Sequence, residues 1–207
     1  MKNVISCVLL SMLAVVSVAQ PYGDSKFKQK FNKADALVFD ASYMEAIPLL
    51  EEMYAFDTTN ANLNYLLGVS YLLGKKDHVL AIKRLESATK DVSLDYSEAN
   101  WKERKAPGLA YLYLGKAYHY KNQFDRAITN YYNYRSFIEM DDVATYNKVR
   151  QQIQYAENAM ELVKNPVGVK VKNLGPGVNS KYTDYCPVVS ADGETLIFTS
   201  RREEGTG

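Results

Sequence analysis

Histidine and cysteine are scarce in this 207-residue sequence, which contains two of each. His78 and His119 do not stand in a zinc-binding spacing, and the sequence contains neither a Gly-x-Ser-x-Gly nucleophile motif nor a phosphate-binding glycine loop. Cys186 lies beside Asp184 and Tyr185 and has no neighbouring base that would make it a nucleophile. We therefore expect a noncatalytic protein without a metal or a cofactor.

The sequence also lacks a marked excess of either charge. It contains 25 basic and 24 acidic residues, so the formal net charge is +1. This balance, without any basic run, argues against a surface that holds nucleic acid or anionic lipid through charge. The uncharged run from Thr58 to Gly74 is interrupted by Thr and Asn, so it does not resemble a membrane span. We expect no nucleic-acid partner and no span in the mature chain.

Residues 1–19 have the pattern of a secretory signal. Lys2 gives a positive start, Val4 to Val16 form an apolar stretch, and Ser17-Val18-Ala19 supply the small residues that a signal peptidase requires. The pattern predicts an exported protein that begins at Gln20. An uncleaved membrane anchor is the alternative, although the stretch is short for a span of about 20 residues.

The two cysteines fall on different sides of this predicted cleavage site. Cys7 lies within the signal, in a stretch that only loosely resembles a lipoprotein processing box because the apolar run continues past it. Removal of the signal leaves Cys186 alone, so an intramolecular disulfide is impossible in the mature chain. We expect Cys186 to be a buried, inert thiol.

The most informative feature is an internal repeat with a period of 34 residues, which relates Ala34 to Gly68. The small residues Gly68 and Gly115 are expected where two helices of a hairpin approach closely, facing Ala81 and Ala127. The clearest unit has the spacing of the tetratricopeptide repeat (TPR), in Tyr111, Leu114, Gly115, Tyr118, Phe124, Ala127, Ile128 and Tyr131. The period predicts three helical hairpins, whose second helices are expected to be capped by Ser42, Asp77 and Asn122.

The regular period is interrupted once and then ends. Gly68 and Gly115 are 47 residues apart, and the excess falls around Asp91 to Pro107, where we expect a longer helix and an elaborated loop. From Asp141 or Asp142 onward, apolar residues at spacings of three and four predict a helix that caps the array.

After Pro166 the apolar period changes from helical spacing to two. Val167, Val169 and Val171 alternate with Gly and Lys, and Gly175-Pro-Gly177 marks a turn. The segments Pro187–Ser190 and Thr195–Ser200 predict two strands, with Asp192-Gly193 supplying left-handed conformations at the connecting turn.

One motif resembles a known protein family. The opening of a WD40-like propeller of the TolB (PD40) type resembles the segment Pro187-x-x-Ser-x-Asp-Gly-x-x-Leu-x-Phe-x-Ser200-Arg. Preceded by a predicted TPR array and a signal, it is similar to the large envelope proteins of bacteria with type IX secretion. Those proteins have the order signal, TPR, propeller and OmpA-like domain. The resemblance implies a mainly α chain with a signal at 1–19, a TPR solenoid of three hairpins and a capping helix at 20–165, and an incomplete propeller at 166–207.

The function implied by this resemblance is that of a noncatalytic periplasmic scaffold or adaptor, associated with the outer membrane. Its TPR domain would bind a protein partner and link secretion machinery to the cell envelope. Peptidoglycan would be bound only through an OmpA-like domain, and no such segment is found in the 207 residues. The alternative is a stand-alone periplasmic TPR adaptor that captures peptide segments.

The repeat register also predicts a protein-binding groove, because the first helix of each TPR hairpin lines the inner surface of the array. The predicted groove residues are Phe31, Asp35, Phe39, Tyr65, Val69, Leu72, Leu112, Lys116, His119 and Tyr120. Internal packing against the insert or the propeller remains the equal alternative. A carboxylate clamp is disfavoured, because its basic and Asn positions are filled by Phe31, Asp35, Leu66, Leu109 and Tyr113.

Overall fold

The computed structural model describes residues 24–203, so the predicted signal at 1–19 lies outside the described residues. The chain divides into two compact units, Met1–Asn165 and Pro166–Gly207. The described part of the first unit is mainly helical, which confirms the predicted class and the number of helices. Its seven α-helices are α1 Asp24–Phe39, α2 Tyr43–Phe56, α3 Ala61–Ser70, α4 His78–Ala88, α5 Leu109–Tyr120, α6 Phe124–Arg135 and α7 Val143–Lys164.

These helices pack in chain order as three antiparallel pairs followed by one further helix. The pairs are α1 with α2, α3 with α4, and α5 with α6, and α7 packs on α6. Successive pairs meet through α2 with α3 and α4 with α5, while α3 also contacts both α1 and α5. The first helices of the three pairs therefore lie side by side. A π-helical turn, Tyr71–Lys75, extends α3 towards α4.

Close helix approach at the two repeat glycines is confirmed. A Cβ atom on Gly68 would lie 2.5 Å from Leu85 Cγ, and one on Gly115 would lie 2.5 Å from Tyr131 Cε1 and 3.1 Å from the Ala127 carbonyl oxygen. The partner predicted for Gly115 is therefore correct. The residue nearest Gly68 is Leu85, one helical turn beyond the predicted Ala81.

Two of the predicted helix caps are wrong for a common reason. Ser42 precedes α2 but makes no side-chain capping bond, and Asn122 has φ 57° and lies outside α6. Both residues take part in closing the preceding helix. Ser42 N donates to the Leu37 carbonyl, and left-handed Asn122 donates its N–H to His119, as at the end of a Schellman motif. Asp77 does cap α4, accepting from Leu80 N at 3.0 Å.

The segment between α4 and α5 is a loop, since α4 ends at Ala88 and is shorter than α2. The expected longer helix is therefore wrong, and the loop alone absorbs the extra residues. A short parallel pairing closes the loop at its two ends, where β1 (Val92–Ser93) pairs with β2 (Ala106–Pro107). We refer to Asp91–Pro107 as the insert.

The described part of the second unit contains an antiparallel hairpin of β3 (Asp184–Val189) and β4 (Leu196–Ser200), which confirms the predicted strand, turn and strand. Gly193 has φ 76°, whereas Asp192 is not left-handed. The register shifts between Tyr185 and Val188, where Cys186 has φ 54°. Cys186 is exposed, so the prediction of a buried thiol is wrong, because the hairpin covers only part of its own surface.

The alternating valines at 167–171 do not form a strand, contrary to their pattern. Among residues 24–203 no strand pairs with this segment, and Val167, Val169 and Val171 are largely exposed. A period of two favours an extended backbone, but a strand also requires a partner for its backbone groups.

A polar network built on Asp184 ties the hairpin to the preceding turn. Asp184 Oδ2 accepts from Ser180 N at 2.6 Å and Ser180 Oγ at 2.8 Å, and Asp184 Oδ1 accepts from Ser200 Oγ at 2.6 Å. Arg202 donates to the carbonyl oxygens of Gly177 at 2.8 Å and Val178 at 2.7 Å. The network holds the turn and both strands together through one carboxylate.

This network makes the second unit sensitive to acid. The Ser200 hydroxyl, followed by the Ser180 amide, lowers the pKa of Asp184 to about 2 from its ordinary 3.8. Because the folded form favours the ionised carboxylate, its stabilising effect is present above pH 4 and is lost as the pH falls towards 2. We expect NMR signals of Ser180 and Ser200 to shift with a midpoint near pH 2. Loss of that step in Asp184→Asn is the control, and a midpoint near 3.8 in the parent chain would contradict the network.

Candidate functional site: a cleft beside the insert

The insert packs against the start of α3 through one buried side chain. The Asn62 side chain donates to the Glu103 carbonyl oxygen at 3.4 Å and accepts from the Tyr96 hydroxyl at 2.9 Å, and Asn62 N donates to the Arg104 carbonyl oxygen at 3.0 Å. Asn62 is fully buried. These bonds hold the insert across the N-terminal part of α3.

Further contacts attach the insert to the first hairpin and stiffen it internally. Trp101 packs on Phe27 of α1, with 6.3 Å between ring centroids, and Arg104 pairs with Asp57 at 2.5 Å. The Glu103 carboxylate accepts backbone N–H groups from Ser97 at 3.2 Å and from residues 104 and 105 at 2.9 Å. Although burial raises the pKa of Glu103, these hydrogen bonds outweigh it and lower the pKa overall. The insert is thus a folded segment with defined partners.

A cleft of about 550 Å³ lies between α1 and the insert. It is lined on one side by Asn32, Asp35, Ala36, Phe39 and Asp40 and on the other by Glu98 and Ala99. The Phe39 side chain is 85% exposed, and Ala99 has φ 54°, where the insert bends sharply beside the cleft. The cleft therefore combines an accessible aromatic ring with three carboxylates.

The side chains that line the cleft carry an excess of negative charge. Burial, followed by the nearby Glu98 carboxylate, raises the pKa of Asp35. In the part of the chain that the structure describes, Asp35, Asp40 and Glu98 form no ion pair, and their carboxylates accept no hydrogen bond. The negative charge of the cleft is therefore not neutralised by neighbouring side chains.

The predicted groove residues do not form one continuous surface. Asp35 and Phe39 come together in the cleft. Phe31, Val69 and Leu72 are buried, with exposed fractions below 5%, so their prediction as accessible groove residues is wrong. Phe31 and Leu72 belong to the hydrophobic core of the helical pairs, because these positions face the neighbouring helices.

The middle of the predicted groove is a half-buried cluster. Tyr65 packs against Tyr113, with 6.2 Å between ring centroids, and Lys116 Nζ lies 5.1 Å from the Tyr113 ring centroid. Burial raises the pKa of Tyr65 and lowers the pKa of Lys116. Leu112 is half-buried against the core. Packing against neighbouring helices therefore accounts for this part.

The last two predicted residues lie at the end of α5. His119 packs edge-on against Phe124 at 5.5 Å, and burial lowers its pKa. Tyr120 is 62% exposed and stacks on His78, with 4.9 Å between centroids and 5° between planes. Neither residue lines the cleft beside α1, so Tyr120 is a separate accessible position.

Sequence reasoning missed the half of the cleft that the insert contributes. Glu98 and Ala99 lie within the insert, which the repeat spacing indicated only as residues in excess of one 34-residue period. The signal that could have drawn attention to this stretch was its mixture of Trp101, Tyr96 and charged residues, which is unusual for a simple connection.

Comparison with protein-family models and with curated protein sequences finds no match. Within residues 24–203, no group of three or more His, Cys, Asp or Glu side chains is arranged to hold a metal ion. The same residues include no helix that is both long enough and apolar enough to cross a membrane.

Proposed function

We propose that this chain is a noncatalytic docking protein of the bacterial envelope, whose TPR-type array of three hairpins and a capping helix binds a protein partner. The observation that carries the proposal is the row of adjoining first helices, α1, α3 and α5, which leaves an accessible cleft beside α1; Ala34 of α1 and Gly68 of α3 are one 34-residue period apart, and the insert separates α5 from this period. Stacked hairpins of this kind offer an extended surface for peptides and helices.

Export and association with the outer membrane complete the proposal. Residues 1–19 have the charge, apolar stretch and small residues of a secretory signal. The motif from Pro187 to Arg201 resembles the first blade of a WD40-like propeller, and it coincides with the β3–β4 hairpin. In this proposal the helical unit recruits the partner, and the second unit is the beginning of a propeller within a scaffold of the type IX secretion kind.

In-cell photo-crosslinking of the full chain, in the bacterium that encodes it, tests this function. Phe39→p-benzoylphenylalanine places the probe in the cleft beside α1, and Tyr155→p-benzoylphenylalanine places it on the exposed side of α7 as the matched control. We expect a chain that begins at Gln20 in the envelope fraction, with an adduct to an envelope protein from position 39 only. Equal adducts from both positions, or a chain retained with its signal in the cytoplasm, would contradict the proposal.

A further inference from the structure

The geometry points to a basic peptide segment as the occupant of the cleft between α1 and the insert: a stretch of a partner protein in which Lys or Arg alternates with apolar residues. This inference deepens the proposed function and rests on it. It names the class of partner sequence and the place where that sequence binds.

Charge complementarity is the first argument for this occupant. Asp35, Asp40 and Glu98 line one cleft without an ion pair in the described part of the chain, and burial, followed by repulsion from the Glu98 carboxylate, disfavours the Asp35 anion. A cationic side chain between Asp35 and Glu98 would remove this like-charge repulsion and gain two attractive interactions. An acidic or neutral segment would leave the repulsion in place.

The shape and the apolar surface of the cleft give the second argument. A volume of about 550 Å³ falls within the range of about 300–1,000 Å³ typical of ligand-binding sites, and it can accommodate only a few residues. Phe39 and Ala36 provide apolar surface beside the carboxylates. Lys and Arg carry an apolar stem and a charged end, and their charge interacts favourably with an aromatic face. The combination therefore suits a basic side chain better than a purely aliphatic one.

The third argument is that the far wall of the cleft is held in position before a ligand binds. Glu98 and Ala99 lie within a turn whose ends are held by hydrogen bonds: Ser97 N–H donates to the Glu103 carboxylate at 3.2 Å, and Asn100 N–H donates to the Ser97 carbonyl oxygen at 3.4 Å. The same insert is anchored on α3 through Asn62. Preorganisation of this kind reduces the entropy lost on binding.

Fluorescence anisotropy with the full chain tests the inference directly. The probe is a fluorescein-labelled, end-blocked hexapeptide of alternating Lys and Leu, and its Glu–Leu counterpart is the charge-reversed control. We expect the Lys–Leu peptide to bind and the Glu–Leu peptide not to bind. Asp35→Asn with Glu98→Gln should weaken binding about tenfold, because two charge interactions are removed. The pair Glu139→Gln with Glu157→Gln changes the net charge equally on exposed positions outside the cleft, and should leave affinity within about twofold.

The apolar contribution is tested by Phe39→Ser, which should weaken binding about two- to fivefold, and by Met140→Ser, which removes another exposed apolar side chain away from the cleft and should have no effect. Unchanged circular dichroism establishes that each variant remains folded. Absence of Lys–Leu binding, or equal loss in the cleft pair and the control pair, would overturn the basic-peptide inference. Persistent crosslinks from position 39 would then leave the docking function standing, whereas peptide binding without an envelope adduct would overturn the docking function and leave only the preference of the cleft for basic peptides.

Discussion

Gly115→Leu is expected to destabilise the helical unit by about 2 kcal/mol. The substituted Cβ atom alone would lie 2.5 Å from Tyr131 Cε1, and Tyr131 is fully buried and cannot move away. Overpacking typically costs about 1–3 kcal/mol, and a clash that begins at the Cβ atom places Leu at the upper end of this range, whereas replacing a helical glycine regains at most about 1 kcal/mol of helix propensity. Steric conflict therefore outweighs the gain, and urea unfolding followed by circular dichroism at 222 nm measures the difference.

The matched control for this substitution is Gly168→Leu. No atom lies within 4 Å of a Cβ built on Gly168, and its backbone is not left-handed, so the same change of side chain meets open space. We expect its unfolding curve to coincide with that of the parent. Equal stability of Gly115→Leu and the parent would show that α5 and α6 are not in close contact at this position, and would contradict the register assigned to the third hairpin.

Asn62→Ala is expected to loosen the insert and to lower the free energy of unfolding by about 1–3 kcal/mol. The change leaves the partly buried Tyr96 hydroxyl and Glu103 carbonyl oxygen without their side-chain partner, and polar groups that are removed from water and left unsatisfied cost about 1–3 kcal/mol. Trp101, the single tryptophan of the chain, packs on Phe27 and reports directly on the insert. Its fluorescence emission should shift to longer wavelength as the ring becomes exposed to water.

Asn147→Ala is the control for this second prediction, because Asn147 is exposed on α7 and makes no side-chain hydrogen bond within the described residues. Its fluorescence and its unfolding should match those of the parent chain. An unchanged Trp101 spectrum in Asn62→Ala would mean that Asn62 does not hold the insert.

The helical architecture could be predicted because its determinants recur along the chain. Gly68 and Gly115 mark the close approaches, and Asp77 and Asp142 mark helix starts by accepting from Leu80 N and Thr145 N. Each signal depends on a residue and its near neighbours in sequence. Prediction from residue type alone failed at Asn122, which lies in the short connection between two helices. There it ends α5 and does not begin α6.

The candidate site was only half predictable, because one of its walls depends on contacts between distant residues. Asp35 and Phe39 follow from the helical register of α1. The position of Glu98 depends on Asn62, which bonds to residues 96 and 103, and on Trp101 meeting Phe27. Contacts between residues that are distant in sequence produce no periodic pattern from which they could be predicted. The same limitation explains Val167 to Val171, whose alternation predicts a strand although no partner strand pairs with them among the described residues.

Hydrogen–deuterium exchange of the free full chain tests most directly whether the insert is packed on α3, on which the cleft depends. We predict slow exchange of the Asn62 and Ala106 amides, which donate to the carbonyl oxygens of Arg104 and Asp91, together with slower exchange across 96–106 than across 167–174. Exchange across 96–106 as fast as across 167–174 would show that the insert is not packed on α3, and would mean that the cleft lacks the wall needed to bind a partner.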